Sequence, residues 1–256
     1  MNMPPPYDLA WWGWVIGAFG AFMIGVSKTG IVGLGILAVA LFTFIFPARA
    51  STGIVLPLLI VGDIMAVLYY RRSAVWAQLL RLIPWTVVGV VAGYFALGKL
   101  DAAQVGRLIG AILLGITGLQ FWRMRSARGI EAASERIARK LFLVAAVGIA
   151  AGFFTMLANA SGPIVIIYLL AMGLPKIEFM GTGAWFYFLL NLVKVPFSWN
   201  LGLLTPETLA FDALLAPFVI LGGLAGYQIF KRLNQKLFEE LALGLTALAA
   251  LRLLFG

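Results

Sequence analysis

Apolar runs of membrane length alternate with short polar or Pro/Gly breaks along nearly the whole chain. They divide it into ten candidate segments, at 9–26, 31–46, 51–70, 82–98, 105–122, 141–158, 163–174, 179–199, 209–230 and 237–255. About 20 apolar residues are needed to cross roughly 30 Å of hydrocarbon as a helix. Most of the runs approach that length, but 31–46 and 163–174 fall short of it. Each short run follows a polar tetrapeptide, Ser27-Lys28-Thr29-Gly30 in the first half and Asn159-Ala160-Ser161-Gly162 in the second. The pattern predicts an all-α polytopic membrane protein, with helices restarting near Ile31 and Pro163 and with the first hairpin of each half short or re-entrant.

The two halves read as repeats. A shift of 133 residues aligns Pro84 with Pro217, Gly89 with Gly222, Gly93 with Gly226, Tyr94 with Tyr227, and Lys99-Leu100 with Arg232-Leu233. A shift of 130 aligns Thr52-Gly53 with Thr182-Gly183, and one of 132 aligns the two tetrapeptides. The expected organisation is a first membrane repeat at 1–122, a basic linker at 123–140 and a second repeat at 141–256. Five segments per half, an odd number, would invert the repeats relative to each other. If one segment per half does not cross, there are eight crossings and the repeats are parallel. The Gly-x3-Gly pairs suit close helix packing, within one chain or between protomers, so monomer and homodimer both stay open.

Composition agrees with a lipid solvent: 62% of residues are hydrophobic, 11% are charged and mean hydropathy is +1.01. The net charge of +9 would suggest nucleic acid in a soluble chain. Here 14 of the 19 Lys and Arg fall in alternate loops that would share one face, with six of them in the linker. Positive-inside bias accounts for this without a polyanionic partner. It makes the linker cytoplasmic and both termini external. With no Cys and no His, disulfides, thiolate or imidazole metal sites and histidine proton relays drop out, and no cofactor or metal is called for. Met1 to Asp8 carries no basic residue and no small-residue cleavage pattern, so a removable signal peptide is not expected. Trp11-Trp12-Gly13-Trp14 reads as an interfacial belt, Arg49 as a solvated loop residue and Asp212 as a wetted position near the outer end of its span.

The candidate chemistry lies in the two tetrapeptides. Ser161-Gly162-Pro163 has the composition of a helix start, with Ser as N-cap and Pro in the first turn. Gly30 and Gly162 permit close approach to the backbone, and Lys28 adds a full positive charge beside the helix beginning near Ile31. The plain alternative is that Lys28 sits in a cytoplasmic turn capped by Ser27 and Thr29. The second tetrapeptide is uncharged and on the other face, where positive-inside bias does not explain its polarity. Together the two favour a site in which Ser27, Lys28, Thr29, Gly30, Asn159, Ser161, Gly162 and Pro163 hold an anion. A phosphate-loop reading of Gly-Val-Ser-Lys-Thr-Gly fails on spacing. Asp63, Asn191 and Lys194 lie within spans. An ionisable group facing lipid costs about 2.5 to 3.5 kcal/mol, so Asp63 and Lys194 must face protein or water. They form either a structural ion pair or part of a transport path, with Gly53 and Gly183 as further candidates along it.

The Gly-x-Ser-Lys-Thr-Gly hairpin, the Asn-Ala-Ser-Gly-Pro hairpin, the two Pro-x4-Gly-x3-Gly-Tyr blocks and the basic linker resemble the TauE/SafE family of bacterial sulfite and organosulfonate exporters. The resemblance covers essentially the whole chain. It implies seven or eight crossings, which agrees with ten segments if the first hairpin of each repeat counts as one partial crossing. It also implies a transporter in the bacterial cytoplasmic membrane that moves a small sulfur oxyanion, sulfite or a sulfonate, and has no catalytic residues. Outward movement of one negative charge gains about 2.3 kcal/mol per 100 mV with the interior negative, so export needs no coupling ion. A proton-coupled uptake carrier or a channel for a similar anion is the alternative, with Asp63 as the proton acceptor. A membrane-embedded enzyme is disfavoured by the lack of His, Cys and paired intramembrane carboxylates.

Overall fold

A computed structural model describes residues 9–97, 141–238, 240, 241 and 244. Segment 105–122, the linker 123–140 and most of segment 237–255 lie outside the described residues, as do residues 1–8. Eight α-helices are described: α1 (Trp11–Thr29), α2 (Leu34–Ile45), α3 (Ala48–Tyr70), α4 (Trp76–Ala96), α5 (Leu141–Ala158), α6 (Gly162–Ala171), α7 (Lys176–Asn200) and α8 (Pro206–Arg232). A 3-10 turn, Arg71–Ser73, joins α3 to α4. The described residues contain no strand. The chain is a multi-pass helical membrane protein. Arg49–Ser73, Trp76–Ala96, Leu141–Ala158 and Pro206–Arg232 are long and apolar enough to cross a bilayer.

Local chemistry accounts for the helix ends. Pro47 and Pro175, with φ of −52° and −53°, take the N-cap positions of α3 and α7, and their carbonyls accept from Ser51 and Phe179 at 2.9 Å. Thr205 and Thr208 close a reciprocal capping box at the start of α8. Asn159 ends α5 with φ of 52°, a left-handed conformation that Asn tolerates better than most residues. α4 and α7 begin several residues before the apolar runs expected at 82 and 179, because hydropathy marks where a helix meets lipid and not where its backbone hydrogen bonds begin.

Small residues set the tertiary arrangement. α1 packs closely on α8, α4 on α5, and α3 crosses α7. A methyl group on Gly25 would strike the Val219 carbonyl and the Gly223 nitrogen, and one on Gly152 would strike the Thr86 carbonyl and the Val90 nitrogen. Gly222 rides on the Phe22 carbonyl as Gly89 rides on that of Ile149. The same contacts therefore recur with an offset of 127 residues on α1 and α5 and 133 on α4 and α8. Without a hydrophobic force between helices in lipid, such backbone approach and its dispersion contacts drive association. Gly89, Gly93, Gly222 and Gly226 all make these contacts inside the chain.

On α3 and α7 the offset is 128, because it matches Pro47 with Pro175 and Ser51 with Phe179. Gly53 accordingly corresponds to Gly181 and not to Gly183. Gly53 presses on the backbone of Leu203 after α7, and Gly181 on the backbone of Ser73 and Ala74 after α3. The shifts of 130 and 132 read from sequence matched residue types and missed these positions. Two apolar cores flank the α3–α7 crossing. One gathers Ile24, Phe42, Leu58, Phe211 and Val219, and the other Leu82, Val90, Phe154, Val165 and Phe186. Leu68, Leu80, Phe95 and Leu221 point outward and are more than half exposed, as a lipid-facing surface requires. Trp11 and Trp12 are exposed, and so is Arg49. Asp212 is 4% exposed and is not wetted, since the rotation of α8 turns it into the bundle.

Candidate functional site

The two short helices direct their beginnings at one cavity. Gly33 and Gly35 of the α2 start line it, together with Ser161, Gly162 and Pro163 of the α6 start. The cavity has a volume of about 80 Å³, room for several water-sized groups. Ser27, Lys28, Asp63, Thr155, Asn159, Tyr187 and Asn191 supply its polar wall, and apolar side chains such as Val39, Leu59 and Met180 supply much of the rest. Backbone N–H groups in the first turn of a helix lack intrahelical acceptors, so both starts present donors and a partial positive end to this space.

The residues arrive there by a route different from the expected one. α1 runs on through Ser27 and Lys28 to Thr29, and α2 begins at Leu34 after Gly33, whose φ is 96°. Lys28 thus sits in the last turn of α1, where the negative end of the helix favours a cation, and not beside a helix start at Ile31. Ser161 does occupy the N-cap of α6, with Pro163 in the first turn, but its hydroxyl makes no capping hydrogen bond. Thr29 and Gly30 turn away from the cavity. The Thr29 hydroxyl donates to the carbonyls of Gly223, at 2.7 Å, and Gly25, and Gly30 packs on Gly226. Both fasten α1 to α8. Gly53 is likewise buried against Leu203, whereas Gly183 lines the cavity.

A buried polar network backs the cavity. Lys28 Nζ lies 2.6 Å from Asp63 Oδ1 and 4.4 Å from the centre of the Tyr187 ring. Asn191 Nδ2 donates to Asp63 Oδ2 at 2.7 Å. Lys194, 0% exposed, donates to Thr155 Oγ1 at 3.3 Å, to Asn191 Oδ1 at 3.4 Å and to Asn159 Oδ1. Asn159 Nδ2 in turn donates to the Thr52 carbonyl at 3.0 Å. Asp63 therefore pairs with Lys28, and Lys194 reaches it through Asn191. Thr155, Asn159 and Asn191 thus surround Lys194 with three polar oxygens that account for its hydrogen-bonding capacity. By formal charge, two lysines accompany one carboxylate in this network, an excess of one positive charge beside the cavity.

Tyr187 and Thr155 were not singled out from the sequence. Tyr187 places its ring under Lys28 and donates its hydroxyl to the Gly162 carbonyl at 3.3 Å. The available signal was spacing. Gly183, Tyr187, Asn191 and Lys194 follow one another at four, four and three residues, and Thr155 precedes Asn159 by four, so each set falls on one helix face. The matched offsets add that Thr155 of α5 stands where Lys28 stands on α1, so each half supplies its ammonium from a different helix. Tyr70 holds the α1 end from outside the site, donating to the Thr29 carbonyl at 2.6 Å.

An apolar multi-pass bundle with a buried polar network points to a membrane transporter, and comparison of the chain with known families agrees. Residues 14–253 match the family described as sulfite exporter TauE/SafE. The chain belongs to the TauE/SafE sulfite exporter family. The match spans both halves, the basic linker and every residue of the network. Membership makes the chain a multi-pass membrane transporter. No curated protein and no solved structure matches it.

Proposed function

We propose that this protein exports a small sulfur oxyanion, sulfite or an organosulfonate, across the bacterial cytoplasmic membrane by alternating access. The carrying observation is the surplus positive charge of Lys28, Lys194 and Asp63 beside a cavity bordered by the starts of α2 and α6. A sulfonate or sulfite head has three oxygens on one compact anion. Lys28, Ser27, Asn159, Ser161 and the free N–H groups of the α6 start supply donors from several sides. Lys28 and the α6 start come from different halves of the chain, so relative movement of the halves would open and close the site. The recurring glycine contacts support two repeats, proposed at 1–122 and 141–256, and the bias of Lys and Arg to alternate loops supports a cytoplasmic linker at 123–140 with both termini outside.

Binding of sulfite, thiosulfate, taurine, sulfoacetate and simple carboxylates to the purified protein tests the site, repeated with Lys28→Ala and Ser161→Ala. Loss of affinity for one sulfur oxyanion in both variants supports it, and unchanged affinity in both rejects it. Flux in inside-out against right-side-out vesicles, with and without a proton gradient, separates export from proton-coupled uptake or a channel.

A further inference from the structure

Resting on the anion reading just given, we propose that Asp63 is a resident counter-anion which the transported oxyanion displaces from Lys28. Lys28 is the ammonium that reaches the cavity. It lines the space and its side chain is 13% exposed, whereas Lys194 is fully buried and has all three donors filled. Yet Lys28 is already neutralised by a carboxylate at 2.6 Å. An incoming oxyanion gains the full attraction of Lys28 only by taking the place of Asp63 Oδ1.

The surroundings prepare Asp63 for that exchange. Its second oxygen is held by the Asn191 amide at 2.7 Å, and the carbonyl of the same amide faces Lys194. When Lys28 swings to the substrate, Asp63 keeps a donor and stands one amide away from the second ammonium, so no buried carboxylate is orphaned. The flexible four-carbon stem of Lys28 permits the swing, and the face of Tyr187 beneath its Nζ keeps the ammonium attracted to the protein throughout. Around Asp63 the charged and titratable side chains are Lys28 of α1 and Lys194 and Tyr187 of α7. The facing residues of α5 are the neutral Thr155 and Asn159, and α2 carries no ionisable residue. When the anion leaves, Asp63 closes on Lys28 again. The competition keeps binding loose enough for release, which a carrier requires.

Isothermal titration with sulfite, thiosulfate and taurine, on wild type, Asp63→Asn and Lys28→Ala in detergent, tests this. Asp63→Asn should bind whichever anion the wild type binds at least tenfold more tightly, and should move it more slowly in vesicles because release is retarded. Lys28→Ala should not bind it. Unchanged or weaker affinity in a monodisperse Asp63→Asn overturns the proposal and leaves the anion site standing. No binding to wild type ends both. Should Asp63→Asn not fold, infrared difference spectra of the wild type decide. A shifted carboxylate band on anion addition, absent in Lys28→Ala, supports displacement, and an unshifted band rejects it.

Discussion

Asp63 and Asn191 meet side chain to side chain at 2.7 Å, although 128 residues separate them and each occupies the same position in its half. The hydrogen bond joins α3 to α7 at the centre of the bundle and links the two cationic sides of the network. Asn191→Leu removes a donor from a buried carboxylate and an acceptor from a buried ammonium. Hydrogen bonds to charged groups contribute about 1.5 to 3 kcal/mol each, so the variant should lose about 3 kcal/mol or more. Thermal melting of the purified protein in detergent measures this, and a melting point within 2 °C of wild type, by the usual shift of a few degrees per kcal/mol, contradicts it.

The surplus charge is open to direct titration by mutation. Thr155 faces both Lys194 and the cavity, and Thr155→Asp would place a second carboxylate there. Two ammonium groups would then meet two carboxylates. Anion affinity should fall at least tenfold while the protein stays folded, as read by binding isotherms and size-exclusion profiles. Retained affinity in the folded variant removes the electrostatic basis of the site.

Two glycines aligned by sequence should respond in opposite ways. A methyl group at Gly183 meets nothing nearer than Leu169 at 3.8 Å and would project into the cavity, whereas one at Gly53 would enter the backbone of Leu203. Gly183→Ala should melt like wild type but lose flux, most for the bulkiest anion transported. Gly53→Ala should lower the melting point through overpacking worth about 1 to 3 kcal/mol. Equal melting points for the two would contradict the packing.

Neighbouring hydroxyls on α1 should likewise divide. Thr29→Ala loses the bond to Gly223 that fastens α1 to α8, a cost of about 1 kcal/mol, with anion affinity preserved. Ser27→Ala, at the cavity wall, should weaken affinity severalfold with little change in stability. A binding defect confined to Thr29→Ala would place the site on the other face of α1.

The polar tetrapeptides were legible because breaks in a membrane-length apolar pattern stand out, and so were Asp63 and Lys194, whose charges are expensive in lipid. Thr155 and Tyr187 were not, since a threonine or a tyrosine among apolar residues raises no such cost and becomes informative only when its neighbours are known. Lys28 was found but given the wrong end of a helix. The sequence Ser-Lys-Thr-Gly serves equally to end one helix or to start the next, and only the backbone hydrogen bonds from Gly30 and Ile31 to Val26 decide between them.

By itself the sequence determined that this chain is a bundle of apolar helices with two polar interruptions and a few costly charges within its spans. Those properties follow from the solvation of each residue, which is local. Tertiary structure decided that Asp63 pairs with Lys28 and not with Lys194, that Thr29, Gly30 and Gly53 fasten helices, and that Gly183 lines a cavity. Such choices depend on helix rotation, set by which glycines let which backbones touch, and one step of rotation turns a residue from the path into the packing.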